Sequence, residues 1–175
     1  MPVPDPDLGE VAPEVAAALA SYAADASTYA EALAAVANTR LLLAMVEVPA
    51  GTFAEGEHHD HGHDDDSGHG HGHGHAPGGT AMAAVSIQRP DGRRGMLAFT
   101  GVEPLRRWDP AARPLPVTAR EAAETALGDG AEALLVDLAG PVRLVVDGED
   151  LEGVAGGWTL GRMGERSVWI RPAPE

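Results

Sequence analysis

The sequence predicts an α+β fold: a long N-terminal helix, a mostly antiparallel or mixed sheet of about five or six strands, and two or three short helices. Three observations lead there. Apolar residues recur at spacings of four and three from Val15 to Val36. Short apolar runs follow, each bounded by Gly or Pro. Hairpins dominate the connections, which favours α+β over a doubly wound parallel sheet.

Residues 1–12 are acidic and Pro-rich and read as a flexible tail ahead of one domain over 13–175. Pro13 suits a first helical turn, where its missing N–H removes no bond. Val15, Leu19, Tyr22, Ala26, Tyr29, Leu33 and Val36 then form one stripe on a helix of about seven turns. The same spacing fits a coiled-coil seam, but too few heptads are present to require a second chain. Asn38 suits the helix end. Leu41–Val48 is nearly all apolar, as in a strand covered on both faces. Residues 51–79 hold almost nothing to bury and are expected to be a disordered loop between two neighbouring strands. Lengthening a loop about fourfold costs only about 1.2 kcal/mol, so a core tolerates it.

Met82–Gln88 and Met96–Thr100 read as strands joined by a Pro90-Asp91-Gly92 turn. Thr100 and Glu103 have capping-box spacing ahead of a short helix ending at Trp108. Pro114–Val117 can only be an edge strand, since its prolines cannot donate to a ladder. Thr118 and Glu121 repeat the capping box and open a helix through Leu127, closed by Gly128. Ala133–Leu138 is a buried strand, and Val142–Val146 returns beside it after Ala139-Gly140-Pro141. Asp137 sits inside that apolar run, where Arg143 is its expected partner. Asp147 caps a short helix ended by Gly156-Gly157. Trp158–Leu160 and Val168–Ile170 form a last small hairpin.

The formal net charge is −15, which disfavours nucleic acid and anionic membrane as partners. All twelve basic residues are Arg. Those at 93, 94, 106, 107, 113 and 120 balance nearby acids or face an acidic partner. With no cysteine, thiolate chemistry is excluded. The N-terminal residues lack a basic and an apolar signal region, and Leu41–Val48 is too short to span a bilayer. The expectation is a cytoplasmic protein.

Three stretches resemble the SseB family N-terminal domain: Arg40–Val48, Met96–Trp108 leading into Arg113–Val117, and residues 133–157. The resemblance implies a small α+β module and supplies no catalytic residues to carry over. The His-rich segment is an addition to that pattern.

All eight histidines fall between His58 and His75. His58, His59, His61 and His63 neighbour Asp60 and Asp64–Asp66, while His69, His71, His73 and His75 alternate with Gly. Neutral imidazole and carboxylate are ligands for Zn²⁺ or Ni²⁺, and Gly lets the chain wrap an ion. Ordering a floppy chain costs roughly 1–2 kcal/mol per residue, so modest affinity and interchangeable coordination are expected. Free His titrates near 6.5, so the segment is also pH-responsive. No GxSxG, P-loop, GxGxxG or HExxH is present, and a rigid Ser-His-Asp triad has no histidine outside this segment. Trp108 and Trp158 are expected to pack in the core or at its edge.

The expected function is therefore a non-enzymatic interaction module for an unknown protein partner, carrying a metal-binding loop. The alternative is a metal buffer or metallochaperone in which the loop is the functional element. Calorimetric titration with Zn²⁺ and Ni²⁺ should show binding to the whole chain and none to a variant lacking residues 55–77. Because an unstructured chelator binds folded and unfolded chains alike, metal should leave the melting temperature unchanged.

Overall fold

The computed structural model describes residues 9–49 and 79–173. The eight histidines lie outside the described residues, as do residues 1–8 of the expected tail. The chain falls into two units, one of residues 1–46 and 84–175 and one of residues 47–83. In the second, the described residues are the end of strand β1 and most of β2, which are hydrogen-bonded neighbours.

In the first unit the expected long helix is two helices, α1 (Pro13–Ala24) and α2 (Tyr29–Ala37). Asp25 ends the first with extended backbone, and its carboxylate accepts from Ser27 N at 2.9 Å. That bond offers the backbone an alternative to the helix and starts the 3₁₀ turn Ala26–Thr28. The bend lets Val15 and Leu19 of α1 meet Ala32, Leu33 and Val36 of α2 in one core. The apolar spacing is continuous across Asp25, so periodicity alone hides the break. The stripe packs within its own chain.

The strands are β1 (Arg40–Pro49), β2 (Thr80–Ala84), β3 (Ser86–Gln88), β4 (Arg94–Phe99), β5 (Arg113–Thr118), β6 (Ala133–Val136) and β7 (Leu144–Asp147). They form one seven-stranded mixed sheet, more strands than the sequence suggests. The extra strand arises at Val85, where one expected strand becomes two. Val85 N–H donates to Ala44 O of β1 at 3.0 Å, and its carbonyl accepts from Leu97 N of β4 at 2.9 Å. It therefore joins two strands that elsewhere pair with each other at Leu42↔Phe99 and Leu43↔Ala98. β4 and β5 both pair with Leu42 and Leu43, so they flank β1 on opposite sides. β4 and β6 run parallel, whereas β6 and β7 are antiparallel.

Helices α3 (Val102–Trp108) and α4 (Ala119–Gly128) lie between these strands, and α5 (Gly148–Ala155) follows β7. Thr118 and Glu121 form the expected capping box, and the bond from Thr118 N holds the Glu121 carboxyl below its ordinary pKa. Asp147 is the N-cap residue of α5 by position but makes no side-chain cap bond.

Alternation along the strands sends the core to both faces. Leu41, Leu43, Met96, Ala98, Leu134 and Val136 join α1, α2, α4 and α5 on the first face. Leu42, Ala44, Leu97 and Phe99 join Leu105 of α3 and Ala112 on the second. Four helices cover one face and a single short helix covers part of the other.

The chain ends in the expected hairpin, β8 (Thr159–Met163) with β9 (Arg166–Ile170). Two strands alone are marginal, so docking must hold them. Trp169 supplies it: the indole lies flat on Gly153 of α5, where any Cβ would overlap the ring. Gly153→Ala should therefore cost about 1–3 kcal/mol by thermal denaturation. Gly128→Ala, in open space at the end of α4, should be neutral or stabilising by up to about 1 kcal/mol.

Candidate functional site

The carboxyl ends of the parallel strands β4 and β6 meet around one buried acid, Asp137, 2% exposed. Its expected pairing with Arg143 is not what forms. Oδ1 accepts from Thr100 N at 2.9 Å and Oδ2 from Thr100 Oγ1 at 2.6 Å. The backbone there is left-handed, φ +52°, which turns the side chain back towards β4. Arg143 points outward and is exposed. Thr100 is thus engaged with Asp137, and the expected box with Glu103 is replaced by Gly101 as the N-cap of α3.

Burial pushes the Asp137 carboxyl above its ordinary pKa, against the two Thr100 bonds that lower it. The group joins the loops that follow β4 and β6. Its geometry is that of a clamp.

A shallow groove lies on the less covered face, at the start of β4. It has a volume of about 190 Å³ and is lined by Ile87, Gly95, Leu135, Val145 and the charged residues Arg89, Arg93, Arg94, Glu132 and Asp147. Registers put these apolar residues on one face: Leu97 opposes Leu135, Leu135 opposes Val145, and Ile87 opposes Gly95. Gly95 leaves the space that the Leu135 side chain fills. Ile87 is 36% exposed and Val145 38% exposed.

Both outer strands of the first unit are blunted. β5 carries Pro114 and Pro116. On β7 the Tyr29 hydroxyl of α2 reaches Val145 O at 3.1 Å.

Three of the six arginines singled out in the sequence are matched to local acids. Arg93 meets Glu132 at 2.9 Å, Arg120 meets Glu124 at 2.9 Å and Arg107 meets Glu103 at 3.6 Å. Trp108 packs beside Phe99, ring centroids 5.8 Å apart, and Trp158 lies under Arg171 at 4.3 Å. No cluster of three His, Asp or Glu residues that could hold a metal occurs among the described residues. None of those residues is long and apolar enough in a helix to cross a membrane.

A second cavity joins α2, the first turn of α5 and the terminal hairpin, around Tyr29, Asp150 and Trp169. The sequence offers no signal for it. Tyr29 is one apolar step in a helical stripe, and Asp150 looks like any acid in a first turn. Only the docking of the hairpin brings them together.

The family model for the SseB protein N-terminal domain matches residues 15–153, most of the chain. The chain belongs to the SseB family. No curated protein and no solved structure matches it. The terminal hairpin lies outside the matched residues.

Asp137→Ala should destabilise by about 3 kcal/mol or more, because two Thr100 donors lose a buried partner. The milder Asp137→Asn isolates the charge. A carboxyl with a raised folded pKa holds more protons when folded, so its contribution is fullest at low pH and is lost as pH rises through the folded value. Denaturant melts of native chain and Asp137→Asn should show the native advantage falling from acid towards neutral pH. A pH-independent difference would exclude desolvation as the governing influence.

Proposed function

We propose that this chain is a non-enzymatic interaction module of the SseB type, receiving a protein partner in the groove around Leu135 and Val145. The observation that carries this reading is the asymmetry of the sheet. One face is sealed by four helices, while the other leaves Ile87 and Val145 partly exposed beside a cavity. A charged rim around an apolar floor suits a protein surface, since rim charges orient a partner and the floor supplies buried area.

The His-rich segment adds modest binding of Zn²⁺ or Ni²⁺ through His58, His59, His61, His63, His69, His71, His73 and His75. The second reading, a metal buffer, rests on that concentration of ligands alone. It requires several ions per chain and a metal-sensitive phenotype on removing residues 55–77.

Val145→Glu tests the leading reading, since it places an extra charge on the groove floor. Partner capture by tagged chain in its native extract should fall at least about tenfold, with stability changed by no more than about 1 kcal/mol. Removing residues 55–77 should leave capture intact. Capture that survives Val145→Glu and disappears with the segment would reverse the assignment.

A further inference from the structure

The cavity beneath the terminal hairpin, about 330 Å³ in volume, is separate from the groove. Its walls are apolar at Leu33, Leu160 and Val168 and aromatic at Trp169, and its floor carries Asp150. Trp169 Nε1 donates to Asp150 Oδ1 at 2.8 Å. Tyr29 Oη lies 3.0 Å from Asp150 Oδ2 and 3.1 Å from Val145 O.

A phenol carries one proton. Burial first, then the Asp150 charge, hold the Tyr29 hydroxyl above its ordinary pKa, so that proton stays in place. Asp150 Oδ2 and Val145 O both lie within reach of that one proton, and Tyr29 donates to only one of them at a time. No arginine meets Asp150 or the adjacent Glu149 among the described residues; Arg162 of the hairpin is engaged by Glu31 at 3.4 Å. The first turn of α5 offsets part of the Asp150 charge.

We propose that this cavity binds a primary alkylammonium group. The group brings three N–H donors and one positive charge to oxygens short of protons. Its alkyl chain packs against Leu33, Leu160, Val168 and the Trp169 indole. A volume of about 330 Å³ admits a chain the size of a lysine side chain. The net charge of −15 raises the local concentration of any cation. This site is independent of the groove and of the partner-binding reading.

Calorimetric titration of the full chain tests it with n-butylammonium, tetramethylammonium and 1-butanol. n-Butylammonium should bind saturably with one ion per chain. Tetramethylammonium keeps the charge without donor protons and should bind at least about tenfold more weakly. 1-Butanol keeps the alkyl chain without the charge and should not bind. Equal affinity for the two cations, or no saturation with n-butylammonium, overturns the proposal.

Asp150→Asn should weaken n-butylammonium at least about tenfold. Glu149→Gln should weaken it roughly threefold and leaves the Trp169–Asp150 bond in place, so it serves if Asp150→Asn undocks the hairpin. Unchanged affinity in both variants overturns the proposal. The chain lacking residues 55–77 should bind as the full chain does; lost binding there would move the effect to the acidic segment and overturn it too. A blocked Gly-Lys-Gly peptide separates the two sources of this ligand. Affinity matching n-butylammonium assigns the site to a lysine side chain of a protein, and tenfold weaker affinity assigns it to a free amine.

Discussion

Strand β4 is the member on which the rest of the fold depends. Gly95 to Phe99 are all buried, and the strand pairs with β1, β3 and β6. Its alternate side chains serve both cores, Met96 and Ala98 on one face and Leu97 and Phe99 on the other. Nothing in that run is polar, so only backbone bonds and shape complementarity hold it, and neighbours on all sides must supply both. The parallel pairing with β6 also dictates what lies between them. A parallel strand needs a long crossover, here filled by α3, β5 and α4.

The crossover brings two loops together at the carboxyl ends of β4 and β6, and Asp137 joins them. A buried carboxylate with two donors from one threonine is a directional tie, stronger than neutral hydrogen bonds and intolerant of a missing partner. Its left-handed backbone is a local strain that the surrounding turn maintains. The tie fixes the entry to α3, and α3 with Trp108 closes part of the second face. What α3 leaves open is the groove. A clamp, a partial cover and a groove thus follow from one strand order.

Family membership covers residues 15–153 and accounts for the sheet and all five helices at least in part. It does not reach the terminal hairpin, which reuses α5 as a platform through Trp169 and Gly153. That addition creates a carboxylate environment absent from the sheet itself: aromatic, half-buried and poor in protons. The groove and the cavity differ in chemistry. One has an apolar floor with a mixed charged rim, and the other has an acidic floor with apolar walls.

Most of the elements were legible in the chain because their signals are local. Pro114 and Pro116 dictate an edge strand, Thr118 and Glu121 dictate a helix start, and Ala133–Val136 can only be a buried strand. The family resemblance was legible for the same reason. The ligand-rich histidines are equally a matter of composition, and they lie outside the described residues. The break at Asp25, the split at Val85 and the Asp137–Thr100 tie were not legible. Each depends on a partner far along the chain or on a competition between equal local choices. Apolar periodicity runs through Asp25 unaltered, yet the sheet rewards a bend there, since a straight helix of about 37 Å would outrun the strands it must cover. Asp137 had Arg143 near in sequence and Thr100 near in space, and the left-handed backbone chose Thr100. The sequence by itself therefore determined most of the helix, strand and turn segments, but not the break at Asp25 or the split at Val85. Only the tertiary structure decided which face stays open and which side chains converge, because those depend on strand order and on contacts between residues distant in the chain.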